Sequence, residues 1–381
     1  MISIDEFQAG AVAWLEEHRY HGPADYGAIC PPDLVEHGVA WHRRLHAAGY
    51  AGIHWPTEFG GRGLTADHNA IWQLEAARSG VPAAFNMVGP VLTGGALLAF
   101  GTERQQRDHL EPTARADRLW CQLFSEPGSG SDLASLSTRA DLDGDRFVVN
   151  GQKLWCSGGR YSQWGILLAR TDHDAPKHNG ISLILIDMRS PGVEVRPLRQ
   201  MTGEAEFDEV FFTDVEVPAA NLLGPLNGGW GVAMSVLTDE RGHIGSAVIG
   251  LERRLERIAS VADGRRLDAI ERQQLAELIT RGRAYRALVQ RHGSGATTAG
   301  SLMKLGISEM IFEAAMLEGA LAGADAVLGG DDASGMLYAP GLRIAGGTSQ
   351  VQRNLIGERL LGLPPEPRSI THSDLPRLEQ P

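Results

Sequence analysis

The sequence predicts an α+β fold in three lobes, helical, then strand-rich, then helical again. Apolar residues recur at helical spacing through the first third. From Leu119 short alternating runs broken by Gly, Pro, Asn and Asp take over, and after Gly228-Gly229-Trp230 long helical patterns return. No strand–helix–strand alternation appears, which excludes a doubly wound dinucleotide-binding sheet. The lobes should span residues 1–118, 119–226 and 227–381, without a flexible linker or an internal repeat.

Ile4, Phe7, Ala11, Trp14 and Leu15 share one helical face, so the chain should open on a helix. Pro31-Pro32-Asp33 starts a second helix carrying Leu34, Val35, Trp41 and Leu45, and Gly49 stops it. The loop His54-Trp55-Pro56-Thr57-Glu58-Phe59-Gly60-Gly61-Arg62-Gly63 is too dense in breakers for a regular element. Helices over 66–79 and 91–100 and a polar helix from Glu103 complete the first lobe. In the second, 119–123 reads as a strand. Arg146-Phe147-Val148-Val149, an Asn150-Gly151 turn and 152–156 read as a type I′ hairpin. Further strands cover 165–170, 181–188, 193–198 and 209–217, and a small antiparallel barrel or sandwich accommodates them. Helices over 231–261, 267–291, 294–328 and 350–361 follow, with an irregular arm after Pro364.

Bulk properties exclude several functions. The 381 residues are 43% hydrophobic and 22% charged, ordinary for a globular chain with a large core. A net charge of −12, with no basic run flanked by aromatics, argues against a nucleic-acid surface. Cys30, Cys121 and Cys156 are odd in number and widely spaced, which points to reduced thiols in a cytoplasmic protein rather than disulfides or a zinc site. No apolar stretch is long enough for a membrane span, and the acidic N-terminus does not read as a signal peptide.

The chemistry concentrates in two segments. Phe124-Ser125-Glu126-Pro127-Gly128-Ser129-Gly130-Ser131-Asp132 offers hydroxyls and backbone N–H groups suited to an anion or a ring edge. Strand alternation in Lys153-Leu154-Trp155-Cys156-Ser157 sets an aromatic face and a hydroxyl on one side. Either alone is unremarkable as a turn or a core aromatic. Together they suit a flat, polar-edged cofactor bearing phosphates.

With Trp55-Pro56-x-Glu58-x-Gly60-Gly61 and Gly346-Gly347-Thr348-Ser349-Gln350-x-Gln352-Arg353, these segments make four motifs in order along the chain. On them the chain resembles the acyl-CoA dehydrogenases over nearly its whole length. The resemblance implies an N-terminal helical domain, a central antiparallel β domain and a C-terminal four-helix bundle. It also implies FAD, an acyl-CoA substrate, an electron-transferring flavoprotein as acceptor and a homo- or heterotetramer or a dimer. Carried over by motif, Leu123, Ser125, Gly130 and Ser131 should meet the flavin edge and pyrophosphate, with Ser131 also facing substrate. Trp155 should cover the ring system, Ser157 should bond near its reactive nitrogen, and Thr348 and Gln350 belong to a segment that reaches FAD across a subunit boundary.

The proton acceptor is displaced. Many family members carry a glutamate just before the Gly-Thr of the last motif, where this chain has Gly346. A second family placement, a glutamate followed by arginine early in the first C-terminal helix, matches Glu240 in Leu237-Thr238-Asp239-Glu240-Arg241. Glu240 is therefore the expected base, with Asp239 in reserve and both Asp239 and Arg241 beside the substrate. Gly346 retains the backbone N–H that in the family binds the thioester oxygen. The family's Arg-x-x-Phe-Gly segment is missing from 254–274, and Leu328-Gly329-Gly330-Asp331-Asp332 lacks an upstream glutamine. These departures resemble an actinobacterial-type branch of unlike-subunit enzymes acting on bulky acyl-CoAs, including steroid side chains. An acyl-CoA oxidase or flavin monooxygenase, and an inactive partner subunit, are the alternative readings.

Overall fold

The computed structural model describes residues 2–27, 29–242, 247–263, 267–292, 297–328 and 330–365. The first lobe contains α1 (Ile4–His18), α2 (Val35–Ala47), α3 (Ala66–Ser79), α4 (Gly94–Phe100) and α5 (Glu103–Ala114). A capping box starts α1: Ser3 Oγ accepts from the Glu6 N–H, and the Glu6 carboxylate accepts from the Ser3 N–H. Its buried face, Phe7, Ala11 and Leu15, packs with Trp41 and Leu45 of α2 and Trp72 of α3. The irregular loop from His54 exists to seat Trp55. An ideal Cβ on Gly94 would lie 2.1 Å from the Trp55 ring, and one on Gly61 would lie 2.2 Å from the Trp55 carbonyl oxygen. Only glycine at both sites leaves room for the buried indole.

The second lobe is one eight-stranded sheet. Its strands are β1 (Trp120–Leu123), β2 (Arg139–Asp143), β3 (Arg146–Ser157), β4 (Trp164–Arg170), β5 (Ile181–Asp187), β6 (Val193–Leu198), β7 (Phe207–Pro218) and β8 (Leu222–Leu223). They run in the order β6-β7-β3-β2-β4-β5-β8, with β1 on β4. The path is open rather than a closed barrel. Pairings are antiparallel except β1 with β4 and β2 with β4, which are parallel. β4 and β5 are buried on both faces, which explains their unbroken apolar runs. Ile166, Leu168, Leu183 and Leu185 join the core under the helices, whereas Leu167, Ile184 and Ile186 join the core under β3 and β7.

The expected Asn150-Gly151 hairpin is not formed. β3 runs straight through both residues, and the true turn is at Asp143-Gly144-Asp145, where Gly144 has φ +62°. Gly151 sits instead at a register shift against β7, with φ +149°, and an ideal Cβ there would lie 2.7 Å from Thr138 Cα. The glycine serves a bulge and a close backbone approach.

The third lobe contains α6 (Gly229–Gly242), α7 (Ala247–Asp263), α8 (Ala269–His292), α9 (Thr297–Ala322), α10 (Asp331–Leu342) and α11 (Ser349–Leu355). Leu251, Leu255 and Ile258 of α7, Leu275 and Leu278 of α8, and Met303, Ile307 and Met310 of α9 form its core. Val232, Ala233 and Val236 of α6 instead pack into the core beneath the sheet. The helix expected over 231–261 is described as α6 and α7, with 243–246 outside the described residues. The one expected over 294–328 ends as α-helix at Ala322, and α10 follows where no helix was foreseen. The arm after 365 lies outside the described residues. Among the described residues no helix is long and apolar enough to cross a membrane.

Candidate active site

The loop after β1 is held from below by an enclosed ion pair. Lys153 is fully buried, and its Nζ donates to Glu126 Oε1 at 2.8 Å and to the Phe124 carbonyl at 2.9 Å. The second Glu126 oxygen accepts from Ser137 N and Oγ, both at 2.7 Å, while Oε1 also accepts from Thr138 N at 2.8 Å. Burial works to raise the Glu126 pKa, but the ammonium and these donors overcome it and hold it at about 2. Burial pulls the Lys153 pKa down, with Glu126 opposing. Four donors thus fix one carboxylate, leaving Gly128, Gly130, Ser131 and Asp132 exposed above it. A Cβ on Gly128 or Gly130 would meet nothing of this chain within 4 Å. The loop is a cradle open to a ligand.

Leu123 is placed differently from the expectation for a ligand contact. Its side chain is fully buried in the sheet core, opposite Leu167, so only its backbone is left for a cofactor. Ser125 is half-buried and its carbonyl accepts from Leu154 N at 2.9 Å, which ties the loop to β3 one residue before Trp155.

Trp155 is 53% exposed although Lys153 before it and Cys156 and Ser157 after it on the strand are buried. It has φ +61° and lies within a register shift between Lys153 and Cys156. A bulky residue in left-handed backbone is strained, and such strain persists only where the surroundings impose it. The bulge also removes the simple alternation that put Trp155 and Ser157 on one side: Ser157 is 8% exposed and lies opposite Phe207. Trp155 stands edge-on to that Phe207, with ring centroids 5.8 Å apart and planes at 80°. The turn beyond is locked, since Gly158 N donates to the Glu206 carbonyl and Arg160 pairs with Asp208 at 2.6 Å. An outward indole beside an open small-residue cradle fits a flat aromatic ring with a phosphate tail.

A second feature lies between the first and third lobes. A cavity of about 590 Å³ is lined by Tyr50, Trp72 and Met87 on one side and by Leu251, Ile307 and Ile311 on the other. Of the expected site residues whose side chains are described, only Gly346 reaches it; Ser125, Gly130, Ser131, Trp155 and Ser157 do not line it. His42 on its wall is kept neutral. Burial pushes its pKa down to about 4, Nε2 donates to the Ala114 carbonyl, and Nδ1 accepts from Phe85 N. The cations are on the opposite wall, where Arg254 is paired with Glu318 at 2.7 Å beside Arg257 and Lys304. Arg254, Tyr338 and Leu342 also line a smaller cleft of about 280 Å³ with Thr202, Glu204 and Glu206 of the β6–β7 connection.

Gly346 has φ +64° and Gly347 φ +95°, a left-handed pair that opens the turn into α11. Thr348 caps that helix, its Oγ accepting from Val351 N at 3.2 Å, so this hydroxyl is already engaged. Gln350 is exposed on the first turn. Ser349 donates to Glu309 at 2.5 Å, and Glu309 pairs with Arg343 at 2.9 Å, which anchors the turn to α9. Glu240 falls near the end of α6, with Asp239 before and Arg241 after it; the side chains of all three lie outside the described residues. Sequence reasoning placed Lys153 and Gln352 in motifs without giving them work. A lysine at a buried position of an apolar strand was a usable signal; its partner 27 residues away was not.

The comparisons agree with this architecture in order along the chain. The models for the N-terminal, middle and C-terminal domains of acyl-CoA dehydrogenase match residues 29–117, 121–215 and 227–361. The chain belongs to the acyl-CoA dehydrogenase family, a class of oxidoreductases whose members generally bind FAD. Acyl-CoA dehydrogenase IpdE1 of Mycobacterium tuberculosis is 38% identical over 96% of this chain and 99% of its own length. Among solved structures, the Tcur3481–Tcur3483 steroid ACAD superposes with a TM-score of 0.81 at 26% identity, covering 95% of this chain and 98% of that one. The ChsE4–ChsE5 complex from Mycobacterium tuberculosis gives a TM-score of 0.80 at 25% identity, covering 96% of this chain and 100% of that one.

Proposed function

We propose that this chain is an FAD-dependent acyl-CoA dehydrogenase that introduces an α,β double bond into a bulky, ring-containing acyl-CoA. The observation that carries the reading is the cavity between the first and third lobes, which Gly346 helps to line. Its volume is in the range of pockets that enclose a ligand of drug size. The Tcur3481–Tcur3483 neighbour is a steroid ACAD, which supports a polycyclic acyl group here.

Bound FAD supplies the acceptor for the hydride that leaves carbon β. The chain supplies the rest. Glu240 takes the proton from carbon α, and the Gly346 N–H bonds the thioester oxygen as negative charge gathers there. Helical spacing sets position 240 in line with Val232 and Val236, which bury against the sheet. Trp155 and the 125–131 cradle orient the cofactor. Reoxidation by an electron-transferring flavoprotein and assembly with a second, like or unlike, chain complete the reading. Val327, Leu328, Ile344 and Leu361, each at least 64% exposed in the third lobe, support the assembly.

The test is anaerobic titration of the purified yellow protein with acyl-CoAs of increasing bulk, followed by flavin absorbance. Wild-type flavin should bleach, whereas Glu240→Gln should bind the same acyl-CoA and bleach about 100-fold more slowly or worse. Equal bleaching in the variant would remove Glu240 as the base, and rapid oxygen consumption without an added acceptor would favour the oxidase.

A further inference from the structure

Gln352 lies on α11 and is wholly enclosed at 0% exposure. Its Nε2 donates to the Gly346 carbonyl at 2.9 Å. An ideal Cβ on Gly347 would lie 2.7 Å from that same Nε2, so Gly347 is required for the amide's approach as well as for its own φ of +95°. The carboxamide oxygen, Oε1, has no hydrogen-bond partner among the described residues. Leaving a buried acceptor unpaired is destabilising. An apolar side chain of similar volume would avoid that cost but would give up the bond to the Gly346 carbonyl, so this donor is what the glutamine supplies.

We infer that Gln352 is a positioning residue that sets the direction of the Gly346 N–H. Two successive glycines sample both signs of φ with little penalty. The contact to the Gly346 carbonyl closes a ring from residue 346 through the Thr348 cap and back along the Gln352 side chain. Gln352 N donates to the Thr348 carbonyl at 2.9 Å, which makes the far side of the ring helical and stiff. On the near side, Ser349 and Arg343 are tied to Glu309 of α9. A donor aimed at a developing oxyanion is effective only if its direction is set before the charge forms. The inference rests on the proposed role of Gly346 and adds a requirement to it: the donor depends on a residue that never touches the substrate.

Gln352→Met keeps the volume and removes the donor; Gln352→Glu keeps the shape and replaces the donor with a carboxyl. Two CoA ligands are titrated into the holoenzyme by calorimetry. One is a 3-oxoacyl-CoA, whose acidic C2 can give up its proton to form an enolate that resembles the charged state; the other is an S-alkyl-CoA thioether of equal length, which has no thioester carbonyl to take up charge. Gln352→Met should lose about 10-fold or more in affinity for the 3-oxo ligand and keep the affinity of the other. In steady state kcat should fall with KM unchanged. Gln352→Glu should recover as pH is lowered, because only its protonated form donates to the Gly346 carbonyl. Equal losses for both ligands, or a Gln352→Glu variant without acid recovery, would overturn the inference. A wild-type enzyme that no acyl-CoA reduces would instead overturn the reading on which it rests.

Discussion

Lys153 and Glu126 show how one buried pair organises a loop that must stay open. Glu126 is 6% exposed, and its carboxylate is held near pKa 2 against an ordinary 4.5. A depressed folded-state pKa contributes stability that is complete above 4.5 and is lost as pH falls from there through about 2. Glu126→Gln leaves the Lys153 ammonium buried without its counter-charge, which should cost about 3–5 kcal/mol at neutral pH. Melting curves of the two proteins should therefore converge below pH 4.5, because protonation does to the wild type what the substitution did. A gap that stays constant down to pH 2 would show that the pair does not carry this stability. The cradle residues were legible from composition alone. The pair beneath them was not, because it joins residues 27 apart through a strand register that local patterns do not contain.

At the scale of elements, β3 carries the largest departures from the sequence reading, and both are bulges. Local patterning located six of the eight strands, by two-residue alternation where one face is exposed and by unbroken apolar runs in β4 and β5. Asn150-Gly151 misled because the same small, permissive dipeptide suits a type I′ turn and a bulge, and only the partner strand decides. Here β7 pairs along both halves of β3, so the chain continues. Gly151→Val should then act as a clash with the neighbouring backbone rather than a turn defect. Its Cβ would press on Thr138 Cα, and φ +149° is closed to a β-branched residue. The expected cost is about 1–3 kcal/mol, read as a lowered unfolding midpoint in urea with an unchanged slope. A neutral substitution would mean that the bulge is pliable. The second bulge sets Trp155 outward, and nothing in the local sequence announces a left-handed tryptophan. The helix α10 escaped notice for a related reason. Gly335, Pro340 and Gly341 argue against a helix locally, and packing on α9 overrides them.

For the whole molecule the decisive arrangement is that no lobe contains the proposed site by itself. The cradle belongs to the sheet, the Gly346 turn to the third lobe, and the cavity to the first and third together. Helix periodicity gave each lobe's content, but one sequence does not state which helix faces face each other. That is why the cavity wall was not foreseen although most of its helices were. Gly250 of α7 tests the cavity directly. It lines the chamber, and a Cβ added there meets nothing within 4 Å. Gly250→Leu should therefore cause no clash and should not destabilise the helix, because leucine is the better helix former by about 0.8 kcal/mol. The added side chain would occupy volume that a bulky acyl group needs. The thermal midpoint should hold or rise, while kcat/KM falls about 10-fold or more for ring-bearing acyl-CoAs and changes little for short straight chains. Loss of activity on every chain length would mean that position 250 supports the reacting end of the cavity. Unchanged activity on bulky substrates would mean that the acyl group lies elsewhere, and that the space between the lobes does not select the substrate.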